Sequence, residues 1–353
     1  MPSNLLSNKE INTLVREYGV MVNEGRTIEQ IIHDGDLPSL KGSTIVKGKV
    51  SDSVFGENLV TKEGKPLRLM YRCNRISTHD QNRGEIPFKD QVLASNHDYM
   101  LSLVKDVIGT SQYDIPGLEP TSTVIPAENI RIIPLENVLR MYMAESTTNT
   151  SLYQHWLRAK KEGTIVFVYA GHEIRTDEIE PNGRLPYVMD TPSTKDKEDM
   201  TIEPSYLHDK KICTPAEYGM IRNTSIMAFG IITEHLRNKN MILVDTKTEH
   251  GINADGIIVS ADELYTMDSS RFWRTNNGKI MYRDGKPISF SKEFARGMIK
   301  EKGQVFNREE AIEISIRYIV GLQHLTSQRF EPDLRSRDQR IIESTNLILD
   351  YLV

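Results

Sequence analysis

Asp245, Lys247 and Glu249 recur at every second position of one apolar-led segment, and Asp262 and Glu263 follow the turn at 253–256. Residues two apart on a strand project from one face. If the hairpin closes on a four-residue loop, Ile252 faces Ile257 and Lys247 faces Asp262. A slip of one residue would flip that set. In this register Asp245, Glu249 and Asp262 share a face with Lys247. Acids so gathered repel one another unless a cation joins them, and hard oxygen donors suit Mg²⁺. Asp268 adds an acid, and Arg271 a guanidinium fork matched to phosphate or carboxylate. The plain alternative is a solvated sheet face.

Four further segments carry polar chemistry. In Lys47-Gly48-Lys49 the glycine lets backbone amides approach an anion, and a lysine beside it can hold a phosphate. Arg75, Ser77, His79 and Asp80 bring a guanidinium, a hydroxyl, an imidazole and a carboxylate into six residues. Thr191 to Lys195 offers hydroxyls and an ammonium, followed by acids up to Asp199. Arg140 precedes Thr147 to Ser151, where Ser151 can cap a helix over 152–161 whose amides favour phosphate. Each of these segments is also compatible with an ordinary solvated loop. No two histidines show metal spacing, and Trp156 and Trp273 read as packing residues.

The elements that must hold these groups are mixed. Ser7 with Glu10, and Thr27 with Gln30, have capping-box spacing for two N-terminal helices. Short β-like runs occupy 45–60 and 67–71, a helix 92–108, an extended connection 112–127 and a strand 130–139. Thr214-Pro215-Ala216-Glu217 opens a long helix with Ile221, Met227, Ile231, Ile232 and Leu236 inward. Asn307 with Glu310 starts another, and a last helix covers 338–352. Without regular βαβ alternation, a Rossmann sheet is not expected.

The 353 residues, 38% hydrophobic and 26% charged, suffice for two domains of roughly 100–200 residues or one large two-lobed unit. No apolar run approaches the ~20 residues a membrane crossing needs. The start has no secretion-signal layout, and two cysteines fit a reducing cytosol. With 44 basic and 49 acidic residues, no general attraction for nucleic acid is expected.

In order, the motifs resemble the SAICAR synthetase (phosphoribosylaminoimidazole-succinocarboxamide synthase) family. Residues 242–251, ILVDTKTEHG, are similar to that family's "ILVDTKFEFG", and 262–273, DELYTMDSSRFW, to "DEVLTPDSSRFW". Gly48-Lys49-Val50 matches the start of "GKVRD", Arg75-Ile76-Ser77 with Asp80 matches "DRISAFD", Ile133 to Arg140 follows "IPLEVIVR", and Thr191 to Lys195 reproduces "TPSTK".

The resemblance implies an α+β, two-lobed fold with antiparallel sheets and an ATP cleft between lobes: a smaller nucleotide-binding lobe over 45–132, and a larger substrate- and metal-binding lobe over 133–353 that includes the C-terminal helices; the helical extension over 1–44 lies outside it. It implies a cytoplasmic, ATP- and Mg²⁺-dependent ligase of purine biosynthesis. That enzyme would join L-aspartate to carboxyaminoimidazole ribonucleotide (CAIR) through an acyl phosphate. Lys49 with Gly48 would hold ATP phosphates, and backbone near Ile133 would line the adenine pocket. Glu249 and Asp262 would position nucleotide and Mg²⁺. Asp245, Lys247 and Lys195 would act in catalysis. Arg140, Ser151 and Arg271 would take the ribonucleotide, and Arg75, Ser77, Asp80 and Asp199 would line the remaining substrate site. Small molecules are the expected partners, without nucleic acid or membrane; self-association stays open.

Several positions depart from the family pattern: Ser51 for a cation, Asn74 for an acid, His79 for an aromatic, Asp90 and Met141 for glycines, and Glu145 near the phosphate step. They keep two alternatives open, a related carboxylate–amine ligase with another substrate and a non-catalytic nucleotide-binding relative.

Overall fold

The computed structural model describes residues 4–78, 81–195 and 200–353. These form helices and mainly antiparallel sheets divided between two compact units. The first holds 1–99, 111–130 and 290–353; the second holds 100–110 and 131–289.

In the first unit, strands Thr44–Lys47, Ser51–Val60, Pro66–Arg72 and Val124–Glu128 form an antiparallel sheet in that order. Alternation along the strands buries Val54, Leu67, Leu69 and Val124 against Ile28, Ile31, Ile341 and Ile348. The capping boxes at Ser7 and Thr27 form as expected. The C-terminal helices Arg308–Thr326 and Arg337–Leu352 belong to this unit, not to a lobe beginning at 133. Their apolar stripes need a partner, and the first-unit sheet and N-terminal helix supply it. Gln323 also closes a reciprocal pair of hydrogen bonds with the backbone of Leu6, each 3.0 Å.

The second unit is organised by strand Met241–Ile252. One edge pairs with Leu135–Tyr142, which in turn pairs with Arg184–Asp190; the other pairs with Ser270–Asn276. Its far end meets both Ile258–Ala261 and Arg131–Ile132. Helix Pro215–Arg237 starts from the Thr214 capping box and buries Tyr218, Ile221, Phe229, Ile232 and Leu236. Met227 and Ile231, expected inward, are exposed at 59% and 37%. The buried arc is centred on Tyr218 and Phe229, so these two fall outside it. No helix among the described residues is long and apolar enough to cross a membrane.

Candidate functional site

The second-unit site grows from the face of Met241–Ile252 that carries Asp245, Lys247 and Glu249. Asp245 lies opposite Arg140 on one neighbouring strand and Arg271 on the other. Arg140 Nη1 is 3.1 Å from Asp245 Oδ2, Arg271 Nε is 2.9 Å from Oδ1, and Arg271 Nη2 also donates to Oδ2. Arg140 Nε donates to Thr191 Oγ1 at 3.0 Å, and Arg271 Nη1 to the Glu145 carbonyl at 3.2 Å. One carboxylate thus holds two largely buried guanidiniums side by side, leaving a net positive charge suited to an anion.

Two residues along, Lys247 Nζ lies 2.5 Å from Glu136 Oε1 and 3.8 Å from Glu249 Oε1, while Lys195 pairs with Glu249 Oε2. Burial opposes charge on Lys247, but Glu136, Glu249 and Glu263 outweigh it and hold its pKa above the usual lysine range. Glu136, also bonded by Ser193 Oγ at 3.3 Å, was not singled out from sequence. Its signal was its place in the Ile133–Arg140 motif, two strand positions from Val138, the residue opposite Lys247. Asp245, Glu249 and Glu136 therefore already have cationic partners in Arg140, Arg271, Lys195 and Lys247, so side chains relieve much of the repulsion expected on this face.

The hairpin also differs from its expected register. Ile252 faces Ile258, and Glu249 faces Ala261, a shift of one residue. Asn253 causes it: its side chain accepts from the Asp255 and Ile257 amides and its N–H donates to the Ile257 carbonyl, which lengthens the loop. Asp262 then sits just beyond the strand at φ 58°, not opposite Lys247. No cluster of three or more potential metal ligands occurs among the described residues. Glu249 faces Ala261, which puts Asp262 one position past its partner; a nucleotide-borne Mg²⁺ takes one or two carboxylates and completes its shell with phosphates and water.

Ser151 caps helix Leu152–Lys161, accepting from the Gln154 amide at 3.3 Å. Ile133 is buried, and its N–H already donates to the His250 carbonyl, so it offers no free amide to an adenine. His250, on the opposite strand face, is pushed by burial to a pKa of about 4 and touches Thr248 and Ser225 hydroxyls.

In the first unit, Gly48 N–H closes a turn onto the Ser51 carbonyl at 2.9 Å, beside Lys49. Arg75 does not end in open space: Nη2 donates to Asp52 Oδ1 at 2.6 Å and to the Gly48 carbonyl at 2.9 Å. Its guanidinium thereby braces the glycine turn. Ser77 lies in the hairpin Arg75–Thr78/Gln81–Glu85. Asp80 and Asp199 lie outside the described residues.

The family model for SAICAR synthetase matches residues 45–312. The chain belongs to the SAICAR synthetase family. A protein of Agrobacterium fabrum named for this synthase is 29% identical over 315 residues, covering 86% of this chain and 93% of its own. The chloroplastic phosphoribosylaminoimidazole-succinocarboxamide synthase of Arabidopsis thaliana is 28% identical over 329 residues, covering 90% and 74%. The SAICAR synthase structure from Saccharomyces cerevisiae, complexed with SAICAR, superposes with a TM-score of 0.65 at 22% identity, covering 83% of this chain and 98% of that one. A SAICAR synthetase solved with ADP gives 0.58 at 18% identity, covering 82% of this chain and 100% of that one. At these identities the structures show the shared fold.

Three departures from the SAICAR synthetase pattern are absorbed locally. Met141 is buried at 7% exposure, and strand alternation puts it on the face opposite Arg140. The Glu145 carboxylate accepts from Asn182 Nδ2 at 3.0 Å. Asp90 is paired with Arg340 at 3.1 Å, both almost wholly buried.

Proposed function

We propose that the chain is the ATP-dependent ligase that joins L-aspartate to CAIR, giving SAICAR, ADP and phosphate in purine biosynthesis. The carboxylate oxygen of CAIR attacks the γ-phosphorus of ATP, and ADP leaves. The aspartate amine then attacks the acyl carbon, loses a proton, and the carbon–oxygen bond breaks to release phosphate. A carboxylate is a poor electrophile, and phosphorylation converts its oxygen into a leaving group.

The observation that carries this reading is the paired presentation of Arg140 and Arg271 by Asp245, beside Lys195 and Lys247 on the same strand face. The guanidinium pair, with the Ser151 helix start, takes the ribonucleotide phosphate. Lys195 and Lys247 offset charge on the transferring phosphoryl group. Lys49, on the Gly48 turn, holds ATP phosphates. Mg²⁺, carried by Glu249 and Asp262, supplies further charge neutralisation when bound. Ser77, with Asp80 and Asp199, serves the imidazole carboxylate and aspartate. We place the reaction in the cytoplasm because all its reactants are small charged metabolites.

Of the positions that opened alternative substrates, Glu145 and Asp90 are engaged by Asn182 and Arg340, which supports CAIR and aspartate over another pair. The direct test is ADP formation with each substrate omitted in turn. Turnover needs all three; ADP formation at an undiminished rate without aspartate or without CAIR contradicts the proposal.

A further inference from the structure

Residues 1–44 and 313–353 lie outside the match to the family model, yet one of their side chains leads by contact to the glycine turn. Arg340, on helix Arg337–Leu352, is 3% exposed. Its Nη2 donates to the Val22 carbonyl of helix Asn8–Asn23 at 2.8 Å, and its Nη1 pairs with Asp90 at 3.1 Å. The Asp90 N–H donates to Asn74 Oδ1 at 2.8 Å. Asn74 sits between two residues that hold the turn. On one side, Cys73 N–H donates to the Val50 carbonyl at 3.0 Å; on the other, Arg75 donates to the Gly48 carbonyl.

The chemistry of this path explains two departures together. An aspartate at 90 needs a cation in a buried setting, and Arg340 provides it. An acid at 74 would bring a second buried carboxylate to the Asp90 amide. Asn74 keeps the acceptor for the Asp90 amide without the charge, at the cost of a buried Nδ2 with no hydrogen-bond partner.

We infer that Arg340 is a positioning residue for nucleotide binding: through Asp90 and Asn74 it fixes the Cys73–Arg75 segment that braces the Gly48–Ser51 turn. The N- and C-terminal extensions thereby take part in forming the phosphate loop. This rests on the assignment of that loop to ATP under Proposed function.

The test measures Mg-ATP affinity by calorimetry and folding by urea melts, using the whole chain. Arg340→Met alone leaves Asp90 buried and unpaired and is expected to unfold easily. The informative variant is therefore Asp90→Gly/Arg340→Met, which removes both charges together. It should fold cooperatively, bind Mg-ATP at least fivefold more weakly and change kcat by less than twofold at saturation. Arg16→Met, which breaks the exposed Arg16–Glu309 pair between two helices of the same unit, should leave ATP affinity unchanged. A folded double variant with wild-type affinity overturns the inference. Failure of the unaltered protein to bind Mg-ATP overturns the loop assignment instead.

Discussion

Arg271 holds Asp245 through two nitrogens, Nε at 2.9 Å from Oδ1 and Nη2 on Oδ2, across adjacent strands. The same carboxylate receives Arg140 from the other side. Asp245 is thus the shared counter-charge of two guanidiniums that would otherwise repel.

Asp245→Asn removes that shared charge while keeping the shape. The two arginines separate, so kcat/KM for the ribonucleotide should fall on the order of 100-fold, with most of the loss in KM. Unpairing buried charges typically costs ~3–5 kcal/mol, so the melting temperature should also drop. Steady-state kinetics against CAIR and a thermal melt measure both. Unchanged KM removes the anion-site role.

Glu249 is engaged by Lys195 and lies near Lys247. Glu249→Gln keeps its hydrogen-bonding shape but loses the charge needed for a divalent ion and for ordering both lysines. Turnover should fall more than ~100-fold, about 3 kcal/mol in the barrier, with folding little altered. Raising Mg²⁺ should recover part of the loss. Wild-type turnover in this variant would remove the assigned role.

Gly48→Ala tests the loop in the first unit. A Cβ there would lie 2.4 Å from the Ser51 carbonyl oxygen, a backbone atom that cannot rotate away. The turn must open, so Mg-ATP affinity should weaken at least tenfold while the second unit is unaffected. Isothermal calorimetry reads the change, and wild-type affinity would detach the turn from nucleotide binding.

Two histidines set opposite pH slopes. Burial lowers His250 from 6.5 to about 4, so the unfolded chain takes up its proton first. Between those values the unfolded state binds more protons, and stability falls as pH drops below 6.5, by up to about 3 kcal/mol at 1.36 kcal/mol per unit. His172 is raised by its hydrogen bond to Asp190, with burial opposing. Its contribution is complete below 6.5 and is lost as pH rises through its folded value. Urea midpoints from pH 4 to 8.5 should show both limbs. His172→Gln should flatten only the upper one.

Much of this was legible because it is local. Ser7, Thr27, Thr214 and Asn307 announce helix starts through bonds spanning three residues, and each forms. The alternation of Asp245, Lys247 and Glu249 gave their shared face for the same reason. What sequence spacing could not supply was the partner across the sheet. Glu136 is 111 residues from Lys247, and Arg271 reaches Asp245 only once two strands pair. The hairpin slip arose from the Asn253 side chain, whose bonds lengthen the loop by one residue. The C-terminal helices were assigned to the wrong unit because chain order does not reveal which apolar surface a terminal helix will cover.

The central claim is that a CAIR carboxylate oxygen takes the γ-phosphoryl group of ATP and leaves with it as phosphate. The most direct measurement uses CAIR carrying ¹⁸O at both carboxylate oxygens, with ATP, Mg²⁺ and aspartate, followed by mass analysis of the released phosphate. The account predicts one ¹⁸O transferred into phosphate per SAICAR formed. Phosphate free of label, with SAICAR made at the normal rate, would contradict it.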